Sequence, residues 1–464
     1  MISRRSLFQT LLSTPLLAVP PAEEFVRINP RDRRYFELSS GDPFIPIGLN
    51  IALVPSEDAR RAMDTMAEWL SALGANGGNF VRVWIGSPFW DVEHAASGEY
   101  DPVRAERIDW LFEQCRKNRI RAKLTIDHFR TFDGSVEWSR KPMHQISNAG
   151  PAANIADFFD GERSRAQFRH KLAWLAARYG NRPEIFGWEL WNEVDCVGGG
   201  DYAAWTELML AELHRVFPRN LAMQSLGSFD REDKRPRYRR FTKMTEADLA
   251  QVHRYLDLGA AMEICHGPVD MLTSDAVREL LAWKPDKPVL LAESGAVVPK
   301  HSGPFPLYPK DHDGIILHDV LFAPFFAGAA GTGQIWHWDH YVAPNNLWRH
   351  FGRFAEAVKG VDPPAEGFTP AMIPHERLRV YALRGRRTFL AWCRDTQNNW
   401  KSELANGEKP ELLRDIAVNI GLAGSAAVRI YNPWSNQWSA GRLAGGVVKL
   451  PEFTRSIVIS ATMA

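Results

Sequence analysis

The sequence predicts an α/β chain, a (β/α)8 TIM barrel with a small C-terminal antiparallel β-sandwich domain. Three observations carry this. From residue 44 onward, short apolar runs of β type alternate with helical patterns. Eight such runs can be placed, and eight parallel strands with intervening helices predict a closed barrel. After the Pro-rich stretch at 361–374 the alternation gives way to short strands separated by turn residues.

In chain order the eight runs are 44–50, 79–84, 121–127, 186–192, 221–225, 249–255, 288–293 and 334–338. Between them, a helix over 59–73 follows from Met63, Met66, Ala67, Leu70 and Leu73 at helical spacing, with Gly74 as its stop. A helix over 163–179 ends at Gly180, and 201–217 and 274–283 read the same way. Three connections, at about 128–160, 227–245 and 294–318, are too long to be simple links. Each follows a strand, which in a barrel places it at the C-terminal face, where active sites of this architecture are built. The basic run 231–240 contains Glu232 and Asp233 and is expected to be a solvated loop. Beyond the Pro-rich stretch, strands are expected at 378–383, 388–392, 416–420, 427–431 and 457–461. The domain organisation is therefore an export signal at 1–22, the barrel at 23–362 and the sandwich at 370–464. With no long flexible linker between the last two, the sandwich is expected to pack on the barrel, with Trp434 and Trp438 at the interface.

The export signal rests on Arg4-Arg5 followed by the apolar stretch 11–19, which resembles the twin-arginine type. Pro20, Pro21 and Ala22 supply no clean cleavage motif. The expected location is periplasmic or secreted. No other stretch approaches 18 uninterrupted apolar residues, so no integral membrane segment is expected. Of 464 residues, 45% are hydrophobic and 24% charged, which excludes a disordered chain. The formal net charge of +1 offers no field to gather nucleic acid. Four scattered cysteines (Cys115, Cys196, Cys265, Cys393) show no metal spacing and are expected to be buried or partly buried thiols. Trp outnumbers Tyr, 17 to 10, and the indole face suits the C–H face of a sugar ring.

Two carboxylates stand out by position. Glu193 closes the segment Gly187-Trp188-Glu189-Leu190-Trp191-Asn192-Glu193, and Glu293 closes Val289-Leu290-Leu291-Ala292-Glu293. Each belongs at the mouth of the barrel, at the end of the fourth and the seventh run. Cleavage of a glycosidic bond needs one carboxyl group to protonate the leaving oxygen and a second to attack or stabilise the sugar carbon. The two roles call for different pKa values, raised for the acid and low for the nucleophile. Arg82, on the second run, is the cation expected beside Glu293, and Tyr255 of His253-Arg254-Tyr255 is its expected hydrogen-bond donor. Asp311-His312-Asp313 and His337-Trp338-Asp339-His340 lack the spacing of a zinc hydrolase, and neither a nucleophile elbow nor a dinucleotide fingerprint occurs. No cofactor and no metal is expected.

Trp191-Asn192-Glu193, Glu293, the Arg82-bearing run, the His-x-Tyr at 253–255 and the Trp-rich eighth run together resemble the clan A glycoside hydrolases, particularly family 5 and its cellulase- and mannanase-like members. The resemblance covers about residues 25–362. It implies that Glu193 is the acid/base and Glu293 the nucleophile, that Asn192 binds the sugar 2-hydroxyl, and that Arg82 and Tyr255 orient Glu293. His253 would line the site near the acid/base. Trp336 would form the stacking floor, with Trp338 as the alternative, because strand alternation points both the same way. Trp84 falls at a strand end in the same mouth, and Asp127 and His128 lie where contacts to sugar hydroxyls are possible. Val194 stands where many relatives have proline, which leaves the subfamily open.

The expected activity is that of a retaining β-glycoside hydrolase on β-linked plant or microbial carbohydrate, with β-mannan or β-glucan first. Exo-action as a β-mannosidase, β-glucosidase or β-galactosidase is the enzyme alternative. A non-catalytic carbohydrate-binding barrel is the remaining one. The expected partner is an oligo- or polysaccharide, and the expected state a monomer.

Overall fold

A computed structural model describes residues 24–54, 56, 58–132 and 142–463. The expected export signal lies outside these residues, as does 133–141 of the first long connection. The described residues open with an antiparallel sheet that is not among the eight expected runs: β1 (Val26–Ile28), β2 (Phe36–Leu38) and β3 (Pro43–Phe44). The expected run 44–50 is thereby split. Phe44 pairs backwards with Phe36, and only β4 (Gly48–Asn50) runs parallel with its successor.

Parallel strands β4, β5 (Phe80–Trp84), β6 (Arg121–Asp127), β7 (Ile185–Trp191) and β8 (Leu221–Met223) form one sheet in that order, and β9 (Ala250–His253) pairs in parallel with β10 (Val289–Glu293). β5, β7 and β10 are buried along their whole length, as expected of strands covered on both faces. The expected run 334–338 is not a strand. Ile335 makes one parallel bridge to Leu49 of β4 and one to Ser294, just beyond β10, and so stands between these two strands. The side-chain amide of Asn50 seals this seam, donating to the carbonyls of Ala292, Gln334 and Ile335 at 3.1–3.3 Å.

The helices are α1 (Ala59–Ala75), α2 (Pro102–Asn118), α3 (Ile155–Asp160), α4 (Glu162–Tyr179), α5 (Tyr202–Val216), α6 (Arg235–Lys243), α7 (Val269–Ala282), α8 (Ile315–Phe326), α9 (Arg349–Ala357) and α10 (Pro363–Glu366). Asp58 and Asp101 cap α1 and α2, each carboxylate accepting from first-turn amides. Helix α6 corrects the expectation of a loop at 231–240. Tyr238 and Phe241, one turn apart, bury one face while Arg239 and Arg240 are exposed. Helix α8 is buried at every position, so it carries no amphipathic signal.

Beyond α10 the chain forms antiparallel strands: β11 (Thr369–Ile373), β12 (Leu378–Arg384), β13 (Thr388–Asp395), β14 (Ala417–Asn419), β15 (Ala426–Asn432), β16 (Gln437–Gly441), β17 (Leu443–Ala444), β18 (Val447–Lys449) and β19 (Ser456–Met463). They make a six-stranded sheet, β11-β12-β13-β19-β15-β16, and a three-stranded one, β14-β18-β17. All five expected runs are strands. β11, inside the Pro-rich stretch, was not expected. The larger sheet packs on α7 and α8. Arg379 and Tyr381 both bind Asp270, at 2.5–3.0 Å, and Arg394 binds Asp319 at 2.8 Å. Trp434 lies 4.5 Å from His318, and Trp438 donates to Glu356, so both tryptophans do face the interface. Cys115, Cys265 and Cys393 are buried, but Cys196 is exposed, against expectation, because it sits on the turn after Glu193. No helix among the described residues is long and apolar enough to cross a membrane.

Candidate active site

The parallel strands deliver their polar residues to one end. β7 stops at Trp191, and Glu193 follows in the left-handed region (φ 56°), an unfavourable conformation for a residue with a Cβ. Local bonds hold it there. Ser225 Oγ accepts from the Glu193 amide at 3.0 Å, and the Ser225 carbonyl accepts from the Val194 amide at 3.2 Å. A proline at 194 would lack that N–H. β10 ends at Glu293, whose neighbour across a register shift is His253 of β9.

Glu193, His253 and Glu293 are all buried, and each offers an atom within 4.8 Å of the others. His253 Nδ1 lies 2.8 Å from Glu193 Oε1 and 3.3 Å from Glu293 Oε2. Arg82 contacts Glu293 Oε1, and the Tyr255 hydroxyl donates to Oε2 at 2.8 Å. Arg82 also binds Glu189 at 2.6 Å, the Asn192 side-chain oxygen at 2.7 Å and the Asn50 side-chain oxygen at 3.1 Å. The guanidinium is therefore fixed from four sides, and with it Glu293. These placements bring together Glu193, Glu293, Arg82, Asn192, His253 and Tyr255. Burial and the Glu293 charge push the Tyr255 phenol well above its usual range, so it remains a donor.

Arg130 pairs with Glu193 Oε2 and donates to the Glu193 carbonyl at 3.3 Å. Burial alone would raise the Glu193 pKa, but Arg130 and His253 outweigh it and hold the carboxyl well below the usual range. This corrects the expectation of a raised value at Glu193. Sequence reasoning missed Arg130 because it lies within the long connection after β6, where spacing carries no information. It also missed Glu189. Against burial, Arg82 and Lys123 hold this carboxyl at about 2, and burial in turn presses Lys123 down to about 7. A carboxylate and an ammonium in the middle of apolar strands were the available signal, since buried charges need partners. Arg82 and Arg130 already neutralise the carboxylates, which opposes a cation among the three residues.

The aromatic residues divide. Trp336 is partly exposed and lies 5.2 Å from Trp84, which is 2% exposed and stands behind it against His128 at 5.0 Å. Trp338 is corrected. His337 takes a positive φ (53°) and the chain turns into a single π-helical turn at Trp338–Val342, so strand alternation stops and Trp338 is buried at 2%, edge-on to Trp336. Trp191 is wholly buried, with Phe129 3.9 Å away, and belongs to the core. His128 is 2% exposed. Asp127 faces Lys171 at 3.5 Å, and burial raises its carboxyl to about 7. Asp311 caps α8, accepting from three backbone amides and the Tyr341 hydroxyl.

No family model matches the chain. Two proteins of Oryza sativa subsp. japonica, described as mannan endo-1,4-beta-mannosidases 3 and 4, are similar to it. The first is 27% identical over 204 residues, 40% of this chain and 42% of the relative. The second is 25% identical over 231 residues, 46% and 48% respectively. The chain thus matches less than half the length of these curated relatives. Among solved structures, a glycoside hydrolase family 5 protein from Bacteroides vulgatus superposes with a TM-score of 0.60 at 13% identity, covering 95% of this chain and 94% of that one, a likeness of fold.

Proposed function

We propose that the chain is a retaining β-glycoside hydrolase acting on β-linked carbohydrate of the β-mannan or β-glucan type, with endo-action on β-mannan first. The observation that carries this reading is the approach of Glu193 and Glu293, oxygens within 4.8 Å, at the ends of two parallel strands. Carboxyl groups about 5–5.5 Å apart leave no room for a water between them and fit a covalent intermediate. The descriptions of the Oryza relatives favour mannan. The reading includes a closed barrel, with Ile335 as the remnant of an eighth strand, and a C-terminal β-sandwich packed against it. It also includes export of the chain by the segment at 1–22.

In this reading Glu293, oriented by Arg82 and Tyr255, attacks the anomeric carbon. The bond to the leaving oxygen breaks as Glu193 gives that oxygen a proton, and a glycosyl ester of Glu293 forms. Water then attacks the same carbon, Glu193 takes its proton and is an acid again, and the ester bond breaks to release the Glu293 carboxylate. Asn192, its oxygen committed to Arg82, presents its amide N–H groups to the 2-hydroxyl, and Trp336 supplies the stacking face.

The test is a panel of mannan, glucan and their oligosaccharides with NMR analysis of the first product anomer. A retained β-anomer and mixed oligosaccharides from mannan are expected. Monosaccharide alone would identify exo-action, and an inverted product would overturn the mechanism.

A further inference from the structure

Glu193 is held from two sides. His253 Nδ1 lies 2.8 Å from Oε1, while Arg130 contacts Oε2 and donates to the backbone carbonyl of the same residue at 3.3 Å. All three side chains are sequestered: Arg130 is 16% exposed, Glu193 10% and His253 0%. A guanidinium in contact stabilises a carboxylate over its acid. The glycosylation step described above needs the acid. The oxygen that must carry its proton is Oε2, because His253 Nδ1 stands between Glu193 Oε1 and Glu293 Oε2 and ties the first to the second carboxylate. Arg130 is therefore the group that has to move.

The other groups facing Glu193 do not compete for this role. Tyr238 and Tyr255 are buried phenols that burial keeps neutral, and the Cys196 thiol, 3.9 Å from Oε2, is pushed up by the neighbouring Glu193 charge. The Glu293 charge is met by Arg82. Among the described residues, the permanent cation in contact with Glu193 is Arg130.

Resting on the glycosidase reading, we propose that Arg130 is a positioning residue that switches Glu193 between base and acid: it holds the carboxylate in the free protein, and a sugar on the leaving-group side draws its guanidinium away so that Oε2 takes up a proton from solvent water. Once the leaving group departs, Arg130 returns to Oε2 and fixes Glu193 as the carboxylate that accepts a proton from water. The substrate this favours has a sugar as its leaving group, whose hydroxyls accept hydrogen bonds from the displaced guanidinium; a small aryl group has none to offer.

The test compares wild type with Arg130→Met in the pH dependence of kcat/KM, on mannotetraose and on a dinitrophenyl β-mannoside, whose leaving group departs without a proton. The basic limb reports loss of the Glu193 proton. On mannotetraose it is expected to move up by one pH unit or more in Arg130→Met, whereas the aryl glycoside, which needs no such proton, is expected to give the same pH profile in both proteins. Wild type that turns over neither substrate takes down the glycosidase reading and this proposal together. Wild-type turnover with an unmoved limb in the variant overturns the role of Arg130 alone. Should the variant not fold, 13C NMR titration of Glu193 in the wild-type protein, assigned with Glu193→Gln, decides. A midpoint below the ordinary carboxylate range supports the proposal, and one at or above that range overturns it.

Discussion

The His253 imidazole and the Glu193 carboxylate are 2.8 Å apart, and the same ring nitrogen stands 3.3 Å from Glu293. Ionised carboxylates only accept hydrogen bonds, so Nδ1 carries the hydrogen and fixes the spacing of the pair. His253→Ala is expected to lower kcat on mannan oligosaccharide by about one to two powers of ten, the cost of about 1–3 kcal/mol for a lost charge-assisted bond. Steady-state kinetics on folded protein checks this.

Glu293→Gln is expected to abolish hydrolysis while substrate binding, read by calorimetry, persists. Glu193→Ala is expected to lose about 10²–10⁴-fold on unactivated substrate. Azide should restore turnover of an activated aryl glycoside and yield the β-glycosyl azide. Failure of rescue would count against the acid/base role.

Trp336 is partly exposed and packs against Trp84 and Trp338, which are each 2% exposed. Trp336→Ala is expected to raise KM about tenfold, a loss of about 1.4 kcal/mol. Trp338→Ala is expected to act instead on thermal stability, by about 3–5 kcal/mol for a truncated core tryptophan. Melting curves and KM values together separate the two.

The Glu189 carboxyl sits at about 2, below its ordinary 4.5, with the buried Arg82 and Lys123 as its partners. A depressed carboxylate contributes stability that is complete above the unfolded pKa and is lost as pH falls through the folded one. The shift corresponds to about 3 kcal/mol at neutral pH, fading between about pH 5 and pH 2. Glu189→Gln is expected to lower stability at neutral pH by about 3–5 kcal/mol, since it leaves buried cations unpaired, and to flatten the acid slope. Urea unfolding at several pH values measures both.

Asp270 is wholly buried and takes bonds from Arg379 and Tyr381 across the interface with the C-terminal strands. Asp270→Asn is expected to cost about 3–5 kcal/mol and to broaden or split the melting transition as the two parts uncouple. A single, unshifted transition in calorimetry would show that the contact adds nothing to their docking.

Much of the site was legible in the sequence because a carboxylate at the end of an apolar run marks itself by position. Glu193, Glu293, Arg82, Asn192, His253 and Tyr255 could all be named from run ends and short motifs, and the runs 121–127 and 186–192 agree with β6 and β7 to within a residue. What escaped has two physical causes. Periodicity cannot report an element buried all round or one that ends early, so α8 gives no helical signal and Trp338 reads as a strand residue although His337 turns the chain aside. Nor can it report partners that meet only through folding. Arg130 reaches Glu193 over 63 residues and Arg82 reaches Glu293 over 211. Sequence by itself determined which groups arrive at the mouth of the strands. The tertiary structure alone decided the charge each one carries, because a carboxyl's affinity for its proton depends on burial and on which cation lies against it, and both are properties of distance in space.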